Sequence, residues 1–581
     1  MLDLLGGTTV VNFILINAAL ALSIYVTLST GLLSVANAGF MAIGAYGAAI
    51  VAVRLGWPPQ VAAPAAIAVA AILAWALGRL VLGLRDVYLA IATLGFGEII
   101  RIAVLNGDDL LGVLAGRSVT VFQGAEGMTL PYRSPVFVLG LPTDTWWLLG
   151  YLAIVTYVVA TLQGSRFGRV LAAVRLDEPA ASTLGVDVVR CKLLVFVLGA
   201  MIAAGAGVLS APVVHVVHPG SYTFSRAVDI LAFTVLGGMQ HWIGPIVGAA
   251  LLTWLPESLR VLQEQTQIVT GVIIMVSIVF LPRGLADPKF WARLRPSGVG
   301  GAGATTGRAG PSNPAKRAGA VIPAGSDGPA LQIMNISRRF GGIVALDEVS
   351  FDVPAHSVCA LIGPNGAGKT TLINVLSGLT PPTSGRIVLA GEDVTGQPPM
   401  AMARRGVART FQHIRLFGDL TALENVVVGR HRHRAGGVTA ALLRLRSSRD
   451  DERQARADAA ALLDRLGLAD LAALPAATLS YGDQRRVEIA RALATSPRVL
   501  LLDEPAAGMN ASETARLAAF LRTIVESGVT LIVIEHDMEL VHAISDRVVV
   551  LNFGRKIAEG PLADVRNDPA VVEAYLGAPD A

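Results

Sequence analysis

Cysteine is nearly absent: this chain of 581 residues has two, Cys191 and Cys359. They lie far apart in sequence, so neither a disulfide framework nor a cysteine-based metal cluster can be built from them. Charge is also scarce, at 15% of residues against 53% hydrophobic, with a mean hydropathy of +0.58. A water-soluble chain of this length needs more charge, so much of the molecule must be solvated by something other than water. Charge of one sign does not dominate. The net charge of +4 is too small for a nucleic-acid footprint and is read as membrane topology, with no nucleic-acid partner. The beginning, "MLDLLGGTTVVNFILINAALALSIYV", lacks the basic region and small-residue cleavage site of a signal peptide and reads as a retained membrane segment.

What is abundant is apolar sequence, concentrated in residues 1–292. Stretches long enough to span a bilayer recur near 9–30, 38–55, 61–84, 87–105, 135–162, 193–214, 228–255 and 266–282. They are rich in Gly and Ala, as close helix packing in lipid requires. Arg79 and Arg85, then Arg166 to Lys192, mark cytoplasmic loops. Asp108, Asp109 and Glu126 mark an external one. Parity then predicts that Val228–Leu255 is a broken or re-entrant element, interrupted at "GGMQHWIGP". Glu98 and Asp229 fall within or beside apolar segments, where ionisable groups usually serve a pathway or a partner, and Glu98 is the stronger candidate for such a role.

Residues 293–330 are mostly Gly, Ala, Pro and Ser, the composition of a flexible tether. A soluble α/β domain is expected over 331–581. In "VCALIGPNGAGKTTLINVLSGL" a buried strand leads into Gly363-Pro364-Asn365-Gly366-Ala367-Gly368-Lys369-Thr370-Thr371 and then an apolar helix. That pattern is a phosphate-binding loop. Glycines let backbone N–H groups close round phosphate, Lys369 reaches the β and γ phosphates, and Thr370 holds Mg²⁺. Further on, the apolar strand Val499–Leu502 delivers Asp503 to the metal. Glu504 follows, placed to orient or deprotonate an attacking water. The basic run "RHRHR" at 430–434 reads as a solvated loop.

Between these motifs lies "LSYGDQRRVEIARAL", which resembles the signature of ABC-transporter ATPases, with Ser480, Gly482 and Gln484 matching and Tyr481 and Asp483 departing. The resemblance implies that Phe340 stacks on adenine, Gln412 is the Q-loop glutamine and a metal contact, and His536 is the switch histidine. It implies ATP and Mg²⁺ as cofactors and a second ATPase subunit completing each nucleotide site. The stretch "SRFGRVLAAVRLDEPAASTLGV" sits between two spans yet is amphipathic and charged. It resembles the cytoplasmic coupling loop of ABC importers, on Glu178, Ala180, Ala181 and Gly185. Longer segments, among them "GLLSVANAGFMAIGAYGAA", "RDVYLAIATLGFGEIIR" and "DPAVVEAYLG", resemble the permease and ATPase subunits of branched-chain amino acid importers.

The expectation is therefore a multi-domain chain: an all-α polytopic membrane domain followed by an α/β P-loop ABC ATPase domain. The resemblance implies a bacterial inner-membrane location with a cytoplasmic ATPase. It also implies a second permease subunit and a periplasmic substrate-binding protein as partners. Branched-chain amino acids are the expected cargo, with urea, short amides or other hydrophobic amino acids as the alternative. An exporter, or a membrane ATPase that moves no solute, fits the short loops less well.

Overall fold

The computed structural model describes residues 7–84, 86–116, 120–124, 126–131, 136–258, 328–433 and 446–576, with a few positions between 271 and 285. The chain forms two compact units. One contains Met1–Arg175 and Val189–Ala304, and the other joins Leu176–Val188 to Thr305–Ala581.

The first unit is helical. Its helices are α1 (Thr8–Leu28), α2 (Asn37–Leu55), α3 (Ala63–Val81), α4 (Asp86–Leu105), α5 (Gly107–Ala115), α6 (Thr143–Gly164), α7 (Arg166–Leu176), α9 (Val188–Val214), α10 (Phe224–Gly237) and α11 (Ile243–Ser258). Among the described residues, six apolar helices, α1, α2, α3, α4, α6 and α9, are long enough to cross a membrane, α3 with the preceding turn included. They correspond to the first six segments expected. α1, α2 and α9 form the interior, and α3 and α4 turn large apolar side chains such as Ile72, Leu80, Ile91 and Ile99 outward. Small residues let α2 and α9 approach: a Cβ added at Gly44 would lie 1.9 Å from Ala204 O, and one at Gly207 would lie 2.1 Å from Met41 O.

Val228–Leu255 is not a single span. It is divided between α10 and α11, which pack against each other across a break at residues 238–242. Gln163, near the end of α6, donates to Gln240 O at 2.7 Å and accepts from Trp242 N at 3.3 Å. The break therefore sits at the end of α6 that leads into α7. The segment expected at 266–282 lies largely outside the described residues. Glu98 is not directed at the interior: it pairs with Arg101 at 2.5 Å, one turn along α4, and stays 46% exposed.

Buried polar groups in this unit are mostly neutral. Thr145 donates to Asn12 (2.8 Å), Asn37 to Ser23 (2.6 Å) and Asn17 to Thr253 (2.8 Å). One cation joins them, as Arg226 donates to Asn17 Oδ1 at 2.6 Å. These bonds tie α1 to α6, α2, α11 and α10, which in lipid is what a polar group must do.

The second unit is α/β. A six-stranded sheet runs in the order 407–409, 499–503, 530–534, 358–362, 547–552, 555–560. All neighbours are parallel except the last pair. The strands Val358–Ile362, Val499–Asp503 and Thr530–Ile534 are buried along their whole length, as expected of a parallel sheet covered on both faces. A four-stranded antiparallel sheet formed by residues 331–340, 343–353, 384–389 and 392–393 stands beside it. α8 (Glu178–Thr183) belongs to this unit and packs against the helix Pro399–Arg405.

Candidate functional site

The phosphate loop leaves the central strand at Ile362 and opens a helix at Lys369. Gly363 and Gly368 are dictated by crowding: a Cβ would lie 2.1 Å from Leu551 O at the first and 2.6 Å from Ala345 O at the second. Gly366 and Gly368 also have positive φ, at +82° and +98°. Lys369 is 6% exposed and its ammonium donates to Gly363 O (2.7 Å) and Pro364 O (2.9 Å), folded back along its own loop. Burial pushes its pKa down, and Glu504 and Asp503 oppose the shift. Asn365, Gly366 and Thr370 are exposed, Pro364 and Thr371 half-buried, and Ala367 buried.

Three elements bring the expected catalytic residues together. Glu504 follows the strand Val499–Asp503 and has φ +48°, a left-handed conformation that costs a non-glycine residue energy. Its carboxylate accepts from Gln412 Nε2 at 3.1 Å and faces His536 Nε2 at 3.2 Å. Glu535, 3% exposed, accepts from Ala506 N at 2.8 Å and His536 N at 3.0 Å, fixing the turns that carry Glu504 and His536. Burial raises the Glu535 pKa, against the pull of those N–H donors.

Asp503 is 1% exposed. One oxygen takes Arg409 Nη2 at 3.2 Å, and the other, Oδ1, is buried without a hydrogen-bond partner. Burial raises the Asp503 pKa and the Arg409 guanidinium pulls it back. A buried carboxylate oxygen with an open valence, on a strand that packs against the phosphate-loop helix, fits a hard cation that takes oxygen ligands and keeps several waters. Among the described residues, no group of three His, Cys, Asp or Glu is placed to hold a metal ion.

The signature begins the helix Tyr481–Leu493. Ser480 is its N-cap, accepting from Asp483 N at 3.2 Å and donating to Asp483 Oδ2 at 2.7 Å. Gly482 sits beside Glu513, and Gln484 donates to Leu479 O at 2.9 Å. Ser480, Gly482, Asp483 and Glu513 line a cleft, which Gln484 does not border. Phe340, the last residue of strand 331–340, is 46% exposed, and the Arg338 guanidinium stands 4.5 Å from its ring centroid.

Known families and relatives match both halves of the chain. The ABC transporter family covers residues 346–507, and the branched-chain amino acid ATP-binding cassette transporter family covers 555–581. The family described as branched-chain amino acid transport system / permease component covers 6–281. The high-affinity branched-chain amino acid transport ATP-binding protein BraF of Pseudomonas aeruginosa is 46% identical over 250 residues, 43% of this chain and 98% of that protein. The chain belongs to the branched-chain amino acid ABC transporter family. LivG of Escherichia coli, of the same description, is 44% identical over the same shares of both chains. A solved nucleotide-free ATP-binding cassette from an ABC transporter is 33% identical, covers 43% of this chain and all of that one, and has a TM-score of 0.39. The transporter thus carries a permease and an ATP-hydrolysing ABC ATPase on one polypeptide, and its apolar helices make it a membrane protein.

Three charged residues in this ATPase escaped the motif reading. Arg485, Glu488 and Arg491 lie on one face of the signature helix and are each at most 2% exposed. Arg485 donates to Phe411 O (2.6 Å), Gln412 O (2.7 Å) and Glu488 (2.9 Å). Arg491 donates to Arg415 O at 2.6 Å, and Glu488 accepts from Phe411 N and Arg415 N. The signature helix therefore grips the backbone of the Gln412 loop. The i, i+3, i+6 spacing was the available signal.

Of the expected coupling residues, Glu178, Ala180 and Ala181 are on α8 and Gly185 follows its end. Ala180 and Ala181 are wholly buried, Gly185 has φ +88°, and Glu178 is exposed at the first turn. A neighbour makes the ion pair: Asp177 caps α8 through Ala180 N (2.7 Å) and accepts from Arg415 Nη1 at 3.0 Å.

Proposed function

We propose that this chain imports branched-chain amino acids across the bacterial inner membrane, as the fused permease and ATPase subunit of a binding-protein-dependent transporter. The observation that carries the reading is that Leu176–Val188, flanked in sequence by α6–α7 and α9, forms one compact unit with the ATPase residues. In this reading that segment and the ATPase are cytoplasmic. A second permease subunit, a second ATPase subunit and a periplasmic substrate-binding protein complete the assembly.

Glu504 acts as general base or water-orienting group, its carboxylate held by Gln412 at 3.1 Å and His536 at 3.2 Å. Lys369 exchanges the carbonyls of Gly363 and Pro364 for the β and γ phosphates. Backbone N–H groups of residues 363–371 cradle the phosphates, and Phe340 stacks on adenine. Ser480, Gly482 and Gln484 present the signature to the nucleotide of the partner ATPase. Thr370, Gln412 and Asp503 are the side chains that would hold Mg²⁺, which would supply charge neutralisation at the phosphates when bound. Glu178, Ala180, Ala181 and Gly185 shape the α8 segment through which hydrolysis and solute movement are linked.

The test is uptake by proteoliposomes containing the chain and its partner subunits, with labelled leucine or labelled urea and the cognate binding protein. ATP-dependent leucine accumulation is expected. Urea accumulation would change the cargo and keep the site. Uptake of neither, with ATP hydrolysis intact, would overturn the importer reading.

A further inference from the structure

The Gln412 loop holds more than a catalytic amide. Phe411 is 7% exposed, and two guanidiniums stand over its ring, Arg409 and Arg415, each 4.9 Å from the centroid. Two cations on one ring repel each other, and each is held in place by an anion on its outer side. For Arg409 that anion is Asp503, at 3.2 Å, both groups at most 4% exposed. For Arg415 it is Asp177, at 3.0 Å, on the α8 segment. Arg409 is anchored further to Asn374 Oδ1 (2.6 Å) and Ser377 Oγ (3.1 Å), at the end of the phosphate-loop helix. The backbone between the two arginines cannot yield easily, because Arg485, Glu488 and Arg491 bind it at Phe411, Gln412 and Arg415.

We propose that Asp177, Arg415, Phe411, Arg409 and Asp503 form a strut through which the α8 segment sets the position of the metal-binding carboxylate. Arg409 and Arg415 are positioning residues and touch no reacting atom. The strut is built of alternating charge and aromatic surface, so loss of the Asp177 charge frees Arg415 to leave the ring. Arg409 then loses the repulsion that presses it toward Asp503. The α8 segment thereby acts on the metal contact and not only on the catalytic loop. The proposal rests on Asp503 as a Mg²⁺ ligand but not on the identity of the cargo.

The experiment measures ATP affinity of the full chain in lipid nanodiscs, with and without Mg²⁺, using a fluorescent ATP analogue. The readout is the factor by which Mg²⁺ strengthens binding. Asp503→Asn sets the reference and abolishes the enhancement. Asp177→Asn keeps a helix cap and removes the charge, and it is expected to reduce the enhancement about 3- to 10-fold. Arg415→Gln does the same, Arg415→Lys restores most of it, and the Asp177→Asn/Arg415→Gln double variant loses no more than the larger single loss. Affinity without Mg²⁺ stays at the wild-type value in the Asp177 and Arg415 variants, which verifies their fold. If both single variants keep the wild-type enhancement while Asp503→Asn loses it, or if their losses add in the double variant, the strut is overturned. If Asp503→Asn keeps the enhancement, the metal assignment fails first and takes the strut with it.

Discussion

The two units bury polar groups in opposite ways. In the membrane unit the buried pairs are mostly neutral, Thr145 with Asn12 and Asn37 with Ser23, and the close approaches are between small residues such as Gly44 and Ala204. In the ATPase unit the buried pairs are charged, Arg409 with Asp503 and Arg485 with Glu488. The difference follows from solvent and task. In lipid a helix gains nothing from burying apolar surface against another helix, so contact depends on shape and a few hydrogen bonds. The ATPase must hold the phosphates of ATP, and the charges that do so need buried counter-charges to keep them aimed.

The comparison can be broken in order of effect. Glu504→Gln removes the candidate base and is expected to slow hydrolysis by about 10²–10⁴-fold while nucleotide binding persists, measured by phosphate release and by ATP-analogue binding. Normal turnover would remove Glu504 from the role proposed for it. Arg485→Ala leaves Glu488 buried and two loop carbonyls unbound, and should cost the ATPase unit about 3–5 kcal/mol in denaturant unfolding. A loss below about 1 kcal/mol would mean that the charged interlock is decorative.

In the membrane unit, Gly44→Val forces α2 away from α9 and is expected to cost about 1–3 kcal/mol, read as a lowered thermal midpoint in nanodiscs. Gly150→Ala, which meets open space, should not destabilise the unit. Thr145→Val removes a neutral hydrogen bond and should cost only about 0.6 kcal/mol. If Thr145→Val cost as much as Arg485→Ala, the contrast between the two units would collapse.

The sequence made the ATPase legible because its motifs are tied to backbone chemistry. Gly363, Gly368 and Lys369 can be read without a structure, since few other residues fit a loop that wraps phosphate. Glu504, Gln412 and His536 are far apart in sequence, and their meeting within about 3 Å was implied by resemblance rather than by any local pattern. The buried Arg485, Glu488 and Arg491 were passed over because charged residues are almost never fully buried unless paired, and pairing is a tertiary fact. Asp177 was overlooked beside Glu178 for a related reason. Of two adjacent carboxylates, only the cap geometry of α8 tells which one faces Arg415. In the membrane unit, hydropathy located the long helices and ran 228–255 together, but the parity of the charged loops required a break at "GGMQHWIGP", and α10 and α11 part there, at residues 238–242. The Gln163 contact with residues 240 and 242, a tertiary fact, could not be read from the sequence.

The central claim is that one polypeptide couples ATP hydrolysis at Glu504 to movement of an amino acid through its own membrane helices. The most direct measurement follows phosphate release and labelled leucine uptake in the same proteoliposomes, for the wild-type assembly and for Glu504→Gln. The account predicts that both fall together. Leucine uptake that persists at the wild-type rate while hydrolysis is lost would contradict it.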